Sequence, residues 1–409
     1  MDDRITKVVD YAREHVPFYE TFKQMDFEHL PIIKKQMVLN NPGDFQSGEY
    51  QLFPLAENVN IRRTSGSTGQ YLKIPWDIYN STKALIEVWI LRRRYYNILP
   101  QDPYCFFYTT NYAGDHLVEE KDTARSFTGK GLGFSKNALN KERIREIFDQ
   151  ILEFDPKWMT LQPSIAILLS QRIIEDHLPP VKSLTYMELS GEVLTAEMKT
   201  YIQAAFHCQI ANQYGCNEAD SIALECPYGH MHLITSNVYI EIMKEDKPQD
   251  IGEKGNICVT CLNNYAMPFI RYDTGDAGRI RNDIVCECGN PNPVLELTKG
   301  RDNDFVLDSS GFRIPAYIFY RPIEYINEKI GNIILQYQVI QNAIDDFSVK
   351  MVIPDTYAGW KDELGHIFKT QLKQPSLENS NFAFEFSHNL FPDPKTGKLA
   401  FFKSYVKEV

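Results

Sequence analysis

The feature that most constrains this chain is its alternation of amphipathic helical stretches with short apolar runs bounded by Gly, Asn or Asp. The clearest helical stretch is Lys141–Phe154, where Ile144, Ile147, Phe148, Ile151 and Leu152 fall at i, i+3, i+4, i+7 and i+8. Similar patterns predict helices over residues 77–99, 164–175 and 195–207. Between them lie short apolar runs at Tyr104–Tyr108, 184–189 and 210–214. Alternation of this kind implies α/β layers rather than an all-α or all-β fold. From residue 238 to 281 the pattern turns to strands, at 238–243, Gly255–Cys261 and 269–272.

At 409 residues the chain exceeds one ordinary core. The expected organisation is a large N-terminal α/β domain with layered sheets over 1–301 and a small, mobile C-terminal α+β domain over 302–409. The small unit reads as a hairpin around Ser309-Ser310-Gly311, helices near 322–330 and 360–372, and strands at 334–341, 347–353 and 382–386. A net charge of -11 argues against a broad nucleic-acid surface, which needs a basic face. No apolar run approaches the ~18 residues of a membrane span, and the N-terminus lacks the basic-then-apolar order of a signal peptide. A cytoplasmic protein with no membrane partner is expected. Eight cysteines in so long a chain read as reduced thiols or metal ligands, not a disulfide framework.

Five short motifs carry candidate chemistry. Thr64, Ser65, Gly66, Ser67, Thr68 and Gly69 form a hydroxyl- and Gly-rich loop whose backbone N–H groups can wrap phosphate oxygens. It lacks the Gly-Lys-Ser/Thr ending of a P-loop kinase or NTPase. In Asn212-Gln213-Tyr214-Gly215-Cys216-Asn217-Glu218, Gly215 permits close approach of a planar ligand and Glu218 offers oxygen to magnesium. In Arg271-Tyr272-Asp273-Thr274-Gly275-Asp276, placed at a strand end, a carboxylate can accept both ribose hydroxyls. Gly300-Arg301 precedes the small unit, and Lys398 closes a Gly-containing loop near the C-terminus. Each motif alone also reads as an ordinary turn or charged loop.

In this order and spacing, the motifs resemble the adenylate-forming superfamily of acyl-CoA synthetases, peptide-synthetase adenylation domains and luciferases. The compact phenylacetate-CoA ligase-like branch is the most similar. The resemblance implies an AMP-forming ligase that uses ATP and Mg2+ to turn a small, aromatic carboxylic acid into an acyl-adenylate. The acyl group then passes to a thiol, coenzyme A first among acceptors. Alternatives are a carrier-protein phosphopantetheine, or an amine or hydroxyl; a non-catalytic nucleotide-binding relative is the reading of another class. The 64–69 loop would close over the phosphates, although Gln70 stands where the family has Lys, with Lys73 nearby. Gly191 and Glu192 match a stretch that lies against adenine. Tyr214 and Gly215 match the pair flanking adenine and the reacting carboxylate. Glu218 matches the magnesium-binding acid, Asp276 the ribose-binding acid and Arg301 the ribose and phosphate Arg. Asn303 stands at the hinge and Lys398 matches the Lys that supports adenylation. Homodimers occur in the branch.

Separately, Cys226, His232, Cys286 and Cys288 supply three thiols and an imidazole, a soft set suited to tetrahedral Zn2+. Some proteins of the resembled branch carry such a zinc. His230 is the second choice of imidazole, and a set of plain reduced thiols is the alternative. Cys258 and Cys261 lie three apart in a predicted strand, facing opposite ways, and read as core.

Overall fold

The structure, a computed structural model, describes all residues except 1, 52–58, 64–71, 109–111, 114–115, 118–122, 127–128, 136–140, 302–304, 310–312, 332, 373, 392–398 and 407–409. The fold is mixed α/β with a smaller C-terminal sheet. By its internal contacts the chain divides into two compact units. The first comprises Met1–Pro103, Thr110–Asp122 and Ala211–Thr298; the second comprises Tyr104–Thr109, Thr123–Ile210 and Lys299–Val409.

In the first unit, Val238–Lys244, Gly255–Cys261 and Tyr272–Arg281 form an antiparallel ladder. Gln209–Cys216, Asp220–Glu225 and Met231–Leu233 form another. Cys258 and Cys261, both buried, belong to this sheet, as the core reading expects. The helix Asp3–His15 buries Ile5, Val8, Val9 and Ala12 in the same core. A hairpin of Val59–Arg63 and Lys73–Asp77 brackets the predicted phosphate loop, which lies outside the described residues. The hairpin runs straight into the helix Ile78–Tyr96, because the Asp77 side chain accepts from Asn80 N at 2.8 Å and caps it. Asn97, in the left-handed region at φ 54°, ends that helix.

In the second unit, Tyr104–Tyr108 pairs in parallel with Gly131–Ser135 and with Trp158–Leu161, and the latter with Tyr186–Ser190. The helices Lys141–Phe154, Pro163–Glu175 and Ala196–Phe206 cover one face. Ile144, Ile147, Phe148 and Ile151 are all at most 1% exposed, so the predicted stripe is the buried one. Each contributes about 2 kcal/mol at most from burial. Residues beyond 299 build a four-stranded sheet in the order Asn381–Ser387, Asp346–Val352, Gln336–Ala343, Phe402–Ser404. The helix Lys361–Leu372 buries Leu364 and Phe368 in the core of this sheet.

One prediction fails instructively. Residues 269–272 are not a strand; the strand begins at Tyr272 and runs to Arg281, so Asp273, Thr274, Gly275 and Asp276 lie inside it rather than in a strand-end turn. Among the described residues no helix is long and apolar enough to cross a membrane. Replacing the cap, Asp77→Ala, is expected to cost about 1 kcal/mol of stability in chemical denaturation; an unchanged midpoint would show that the cap carries no weight.

Candidate active site and metal centre

The candidate site in the first unit starts from a steric constraint. A Cβ on residue 215 would meet the Asp220 carbonyl oxygen at 2.4 Å, so only Gly fits there. The ladder register shifts between Tyr214 and Gly215, and Asp220 takes a left-handed φ of 62°. The chain therefore folds back tightly, with Ala219 N donating to Cys216 O at 3.3 Å. Glu218 is thereby carried inward to 5% exposure. Burying a carboxylate costs heavily unless it is hydrogen-bonded, and here the Tyr272 hydroxyl donates to Glu218 Oε1 at 2.8 Å.

A second bulge completes the corner. Gly275, at φ 72°, donates its N–H to Asp273 Oδ1 at 2.9 Å, and Asp276 N donates to Thr274 Oγ1 at 3.1 Å. The turn chemistry read in the sequence is thus real, but it re-aims side chains within a strand. Asp276 Oδ2 accepts from the Tyr214 hydroxyl at 2.9 Å. Burial, and then the neighbouring Glu218 carboxylate, pushes the Tyr272 phenol far up; burial and then Asp276 do the same to Tyr214. Both phenols therefore stay protonated and remain donors to the two acids.

Sequence reasoning did not assign Tyr272, Arg62, Trp76 or Asp220 to this corner. Arg62 Nη1 donates to Asp220 Oδ2 at 2.7 Å, and its guanidinium lies 4.4 Å over the Trp76 ring. Trp76 Nε1 donates to Asn217 O at 2.9 Å. Both arms of the hairpin that brackets the 64–69 loop are thus tied to the Glu218 turn. Tyr272 stood within the quoted motif; the other three had no local signal.

In the second unit Gly191 sits at φ 82°, just after the strand Tyr186–Ser190. Glu192 accepts from Ser164 N and Ser164 Oγ, each at 2.9 Å, and from Leu399 N at 2.9 Å. Arg301 ends the strand Val294–Arg301. Thr64, Ser65, Gly66, Ser67, Thr68, Gly69, Asn303 and Lys398 lie outside the described residues.

The cysteine and histidine cluster lies within the first unit. Ligand atoms of Cys226, His232, Cys286 and Cys288 all fall within 4.8 Å of one another. Cys226 Sγ and Cys286 Sγ are 3.6 Å apart, and Cys288 Sγ is 3.2 Å from His232 Nε2. A tetrahedral site with ~2.3 Å sulfur bonds and ~2.0 Å nitrogen bonds needs ligand separations of about 3.3–3.8 Å; two of the separations lie close to that and the rest within 4.8 Å, so the donor set suits a metal after small side-chain shifts. His232 Nδ1 lies 2.9 Å from Asn292 O, the outer contact that fixes the tautomer and leaves Nε2 for a metal. His230 Nδ1 approaches Cys286 Sγ at 3.2 Å from the side. Tight turns present the thiols: Gly229 N donates to Cys226 O and Gly289 N to Cys286 O, both glycines having positive φ. Burial alone would raise the Cys288 thiol, but hydrogen bonds led by the Asn290 N–H bring it down to about 7. A thiolate is therefore accessible at neutral pH.

No family model matches the chain. Among curated proteins, it is 23% identical over 266 residues to Protein CapK of Staphylococcus aureus, a match covering 65% of this chain and 57% of that protein. The chain thus spans less than two thirds of this relative's length. It is 21% identical over 382 residues to the phenylacetate-coenzyme A ligase of Thermus thermophilus, covering 87% of this chain and 81% of that one. Among solved structures, 2-hydroxyisobutyryl-CoA ligase in its postadenylation state, bound to 2-HIB-AMP, superposes with a TM-score of 0.70. That superposition has 17% identity and covers 94% of this chain and 84% of the ligase. The fold is thus similar to that of 2-hydroxyisobutyryl-CoA ligase, and the sequence is similar over most of its length to the phenylacetate-coenzyme A ligase of Thermus thermophilus.

Proposed function

We propose that this protein activates a small carboxylic acid with ATP, releasing pyrophosphate, and transfers the acyl group to a thiol, with coenzyme A as the foremost acceptor. The observation that carries this reading is the pairing of two separate motifs in one corner: Tyr214 with Asp276, and Tyr272 with Glu218. A half-buried acid, Asp276, and a buried one, Glu218, each oriented by a phenol, suit a nucleotide's ribose and a metal-bound phosphate respectively.

In this reading Asp276 receives the ribose hydroxyls while the Tyr214 ring and the Gly191–Glu192 backbone border adenine. Glu218, which accepts from the Tyr272 hydroxyl, would be the residue to hold magnesium. When bound there, magnesium would supply charge screening between the attacking carboxylate and the phosphate. The 64–69 loop and Arg301 hold phosphate oxygens, and the Lys398 ammonium stabilises charge that develops at the α-phosphate. The acid oxygen bonds to the α-phosphorus, the bond to the β-phosphate oxygen breaks, and pyrophosphate leaves with the electron pair. No protein nucleophile is needed. Residues 302–409 form the lid that carries Lys398, with Asn303 at the hinge. An aromatic acid is favoured by Tyr104, Phe106 and Tyr108, partly exposed rings that follow one another at 5.7 and 6.1 Å along one strand.

The Cys226, His232, Cys286 and Cys288 cluster is proposed to hold a structural Zn2+. Four protein ligands leave no open position, so the role is to staple loops rather than to catalyse.

With ATP, magnesium, coenzyme A and the right acid, the protein is expected to release AMP and pyrophosphate in equal amounts; ADP and phosphate as products would contradict the reading. Lys398→Ala is expected to slow adenylate formation by about 100-fold or more, with ATP affinity in calorimetry changed far less. Unchanged adenylation would remove Lys398 from the mechanism. Metal analysis is expected to find one zinc per chain, lost together with thermal stability in Cys286→Ser. Metal-free protein of undiminished stability would overturn the zinc assignment.

A further inference from the structure

Two elements of the first unit lead from the Glu218 turn to the cysteine and histidine cluster. One is the strand Asp220–Glu225, which follows the turn and ends immediately before Cys226. The other is the helix Ile78–Tyr96, 19 residues and so about 28 Å long. At the near end, Arg62 donates through Nη1 to Asp220 Oδ2 and through Nη2 to Ser81 Oγ at 2.8 Å. Further along, the Asn237 side-chain amide, 1% exposed, donates to Ala84 O of the helix at 2.9 Å and to Ser221 O of the strand at 3.1 Å.

The far ends of both elements meet at the cluster. Tyr96, the last helical residue, donates its hydroxyl to Glu225 O at 2.7 Å, next to Cys226. Arg94 Nη2 donates to Cys288 O at 3.0 Å. Between them, the Tyr95 hydroxyl accepts from Asn290 Nδ2 at 2.8 Å, which leaves its own proton for Cys288 Sγ, 3.7 Å away. Asn290 N also donates to Cys288 Sγ, at 3.4 Å. Arg94, Tyr95 and Tyr96 therefore grip both of the turns that present thiols. Consecutive helical residues point about 100° apart, so no rotation of the helix keeps all three contacts.

We propose that Tyr95 is a positioning residue: it joins Cys288 to the helix Ile78–Tyr96, so that a metal held by Cys226, His232, Cys286 and Cys288 fixes that helix in register against the strand Asp220–Glu225. Cys226 continues the strand and Cys288 is bonded to the helix, so one ion ties the far ends of both. The near end feels the same constraint. The arm Lys73–Asp77 runs straight into the helix, and Trp76 and Arg62 hold the Glu218 turn through Asn217 and Asp220. Metal binding and ATP binding are thereby linked, each strengthening the other by the same factor. The inference rests on the proposed metal centre, and its last step on the proposed ATP chemistry.

The test uses the full chain loaded with Zn2+, or with Co2+ as a spectroscopic stand-in, and compares wild type with Tyr95→Phe, which keeps the ring and removes only the hydroxyl. Competition with a chelator is expected to show metal affinity about tenfold weaker in the variant. The sulfur-to-cobalt absorption band is expected to shift, because Cys288 has lost a donor; a change in helix packing alone would leave the band in place. With metal bound to both proteins, amide exchange at Tyr96 and Asn97 is expected to be about tenfold faster in the variant. An unshifted band with undiminished metal affinity would overturn the role of Tyr95 and leave the metal centre standing, whereas protein that binds neither ion refutes both. Zn2+ affinity in wild type is expected to rise about tenfold when ATP and magnesium are added, a measurement that needs no metal-free folded protein. Zn2+ affinity indifferent to ATP that does bind would overturn the linkage. A band shift and faster exchange in a protein that binds no ATP would uphold Tyr95 and refute the proposed ATP chemistry instead.

Discussion

The candidate site depends on one close approach, that of the Asp220 carbonyl to the α-carbon of Gly215. No side chain can occupy that space, since a Cβ there would stand 2.4 Å from the oxygen. Because the backbone can close in, the turn after Cys216 is short enough to bury Glu218, and a buried carboxylate demands a donor. Tyr272 supplies it. The same ladder shift brings Tyr214 to Asp276. Trp76 and Arg62 then attach the two arms of the Val59–Asp77 hairpin to this turn through Asn217 and Asp220. A larger residue at 215 would have to open the turn, and the Glu218 carboxylate, its donor and the hairpin arms would lose their common reference.

Much of the scaffold was legible because it follows from local periodicity. The helix Lys141–Phe154 has the bounds its apolar spacing predicts, and the strand Gly255–Cys261 likewise. The 269–276 stretch was misread for a physical reason. Asp-Thr-Gly-Asp is turn chemistry, and the hydrogen bonds of a turn do form, but the partner strand Gly255–Cys261 absorbs them as a bulge in a continuing ladder. Sequence alone does not reveal the partner. The same limit hid Tyr272, whose role exists only because Glu218, far away in the chain, is folded beneath it. It also hid the Leu399 amide at Glu192, since a backbone donor leaves no trace in residue identity.

The candidate metal cluster was legible by a different route. Soft donors are scarce and their chemistry is narrow, so three thiols and an imidazole suggest a set before any contact is known. From sequence alone His232 was the preferred imidazole and His230 the second choice. The fold favours His232: its Nδ1 meets the Asn292 carbonyl, so Nε2 faces the Cys288 thiol, while His230 Nδ1 lies against Cys286. The cluster ties the Cys226–His232 turn to the Cys286–Cys288 turn within the same unit that holds Glu218 and Asp276. A metal held there would stiffen the framework on which both acids stand.

The central claim is that the paired acids serve attack of a carboxylate on ATP. The most direct measurement is exchange of labelled pyrophosphate into ATP, driven by a panel of aryl and alkyl acids with magnesium and no acceptor, in wild type and in Glu218→Gln. The account predicts acid-dependent exchange in wild type that is lost in the variant while the variant stays folded. Folded wild-type protein that binds ATP yet exchanges with no acid in a broad panel, or exchange that survives in Glu218→Gln, would contradict it.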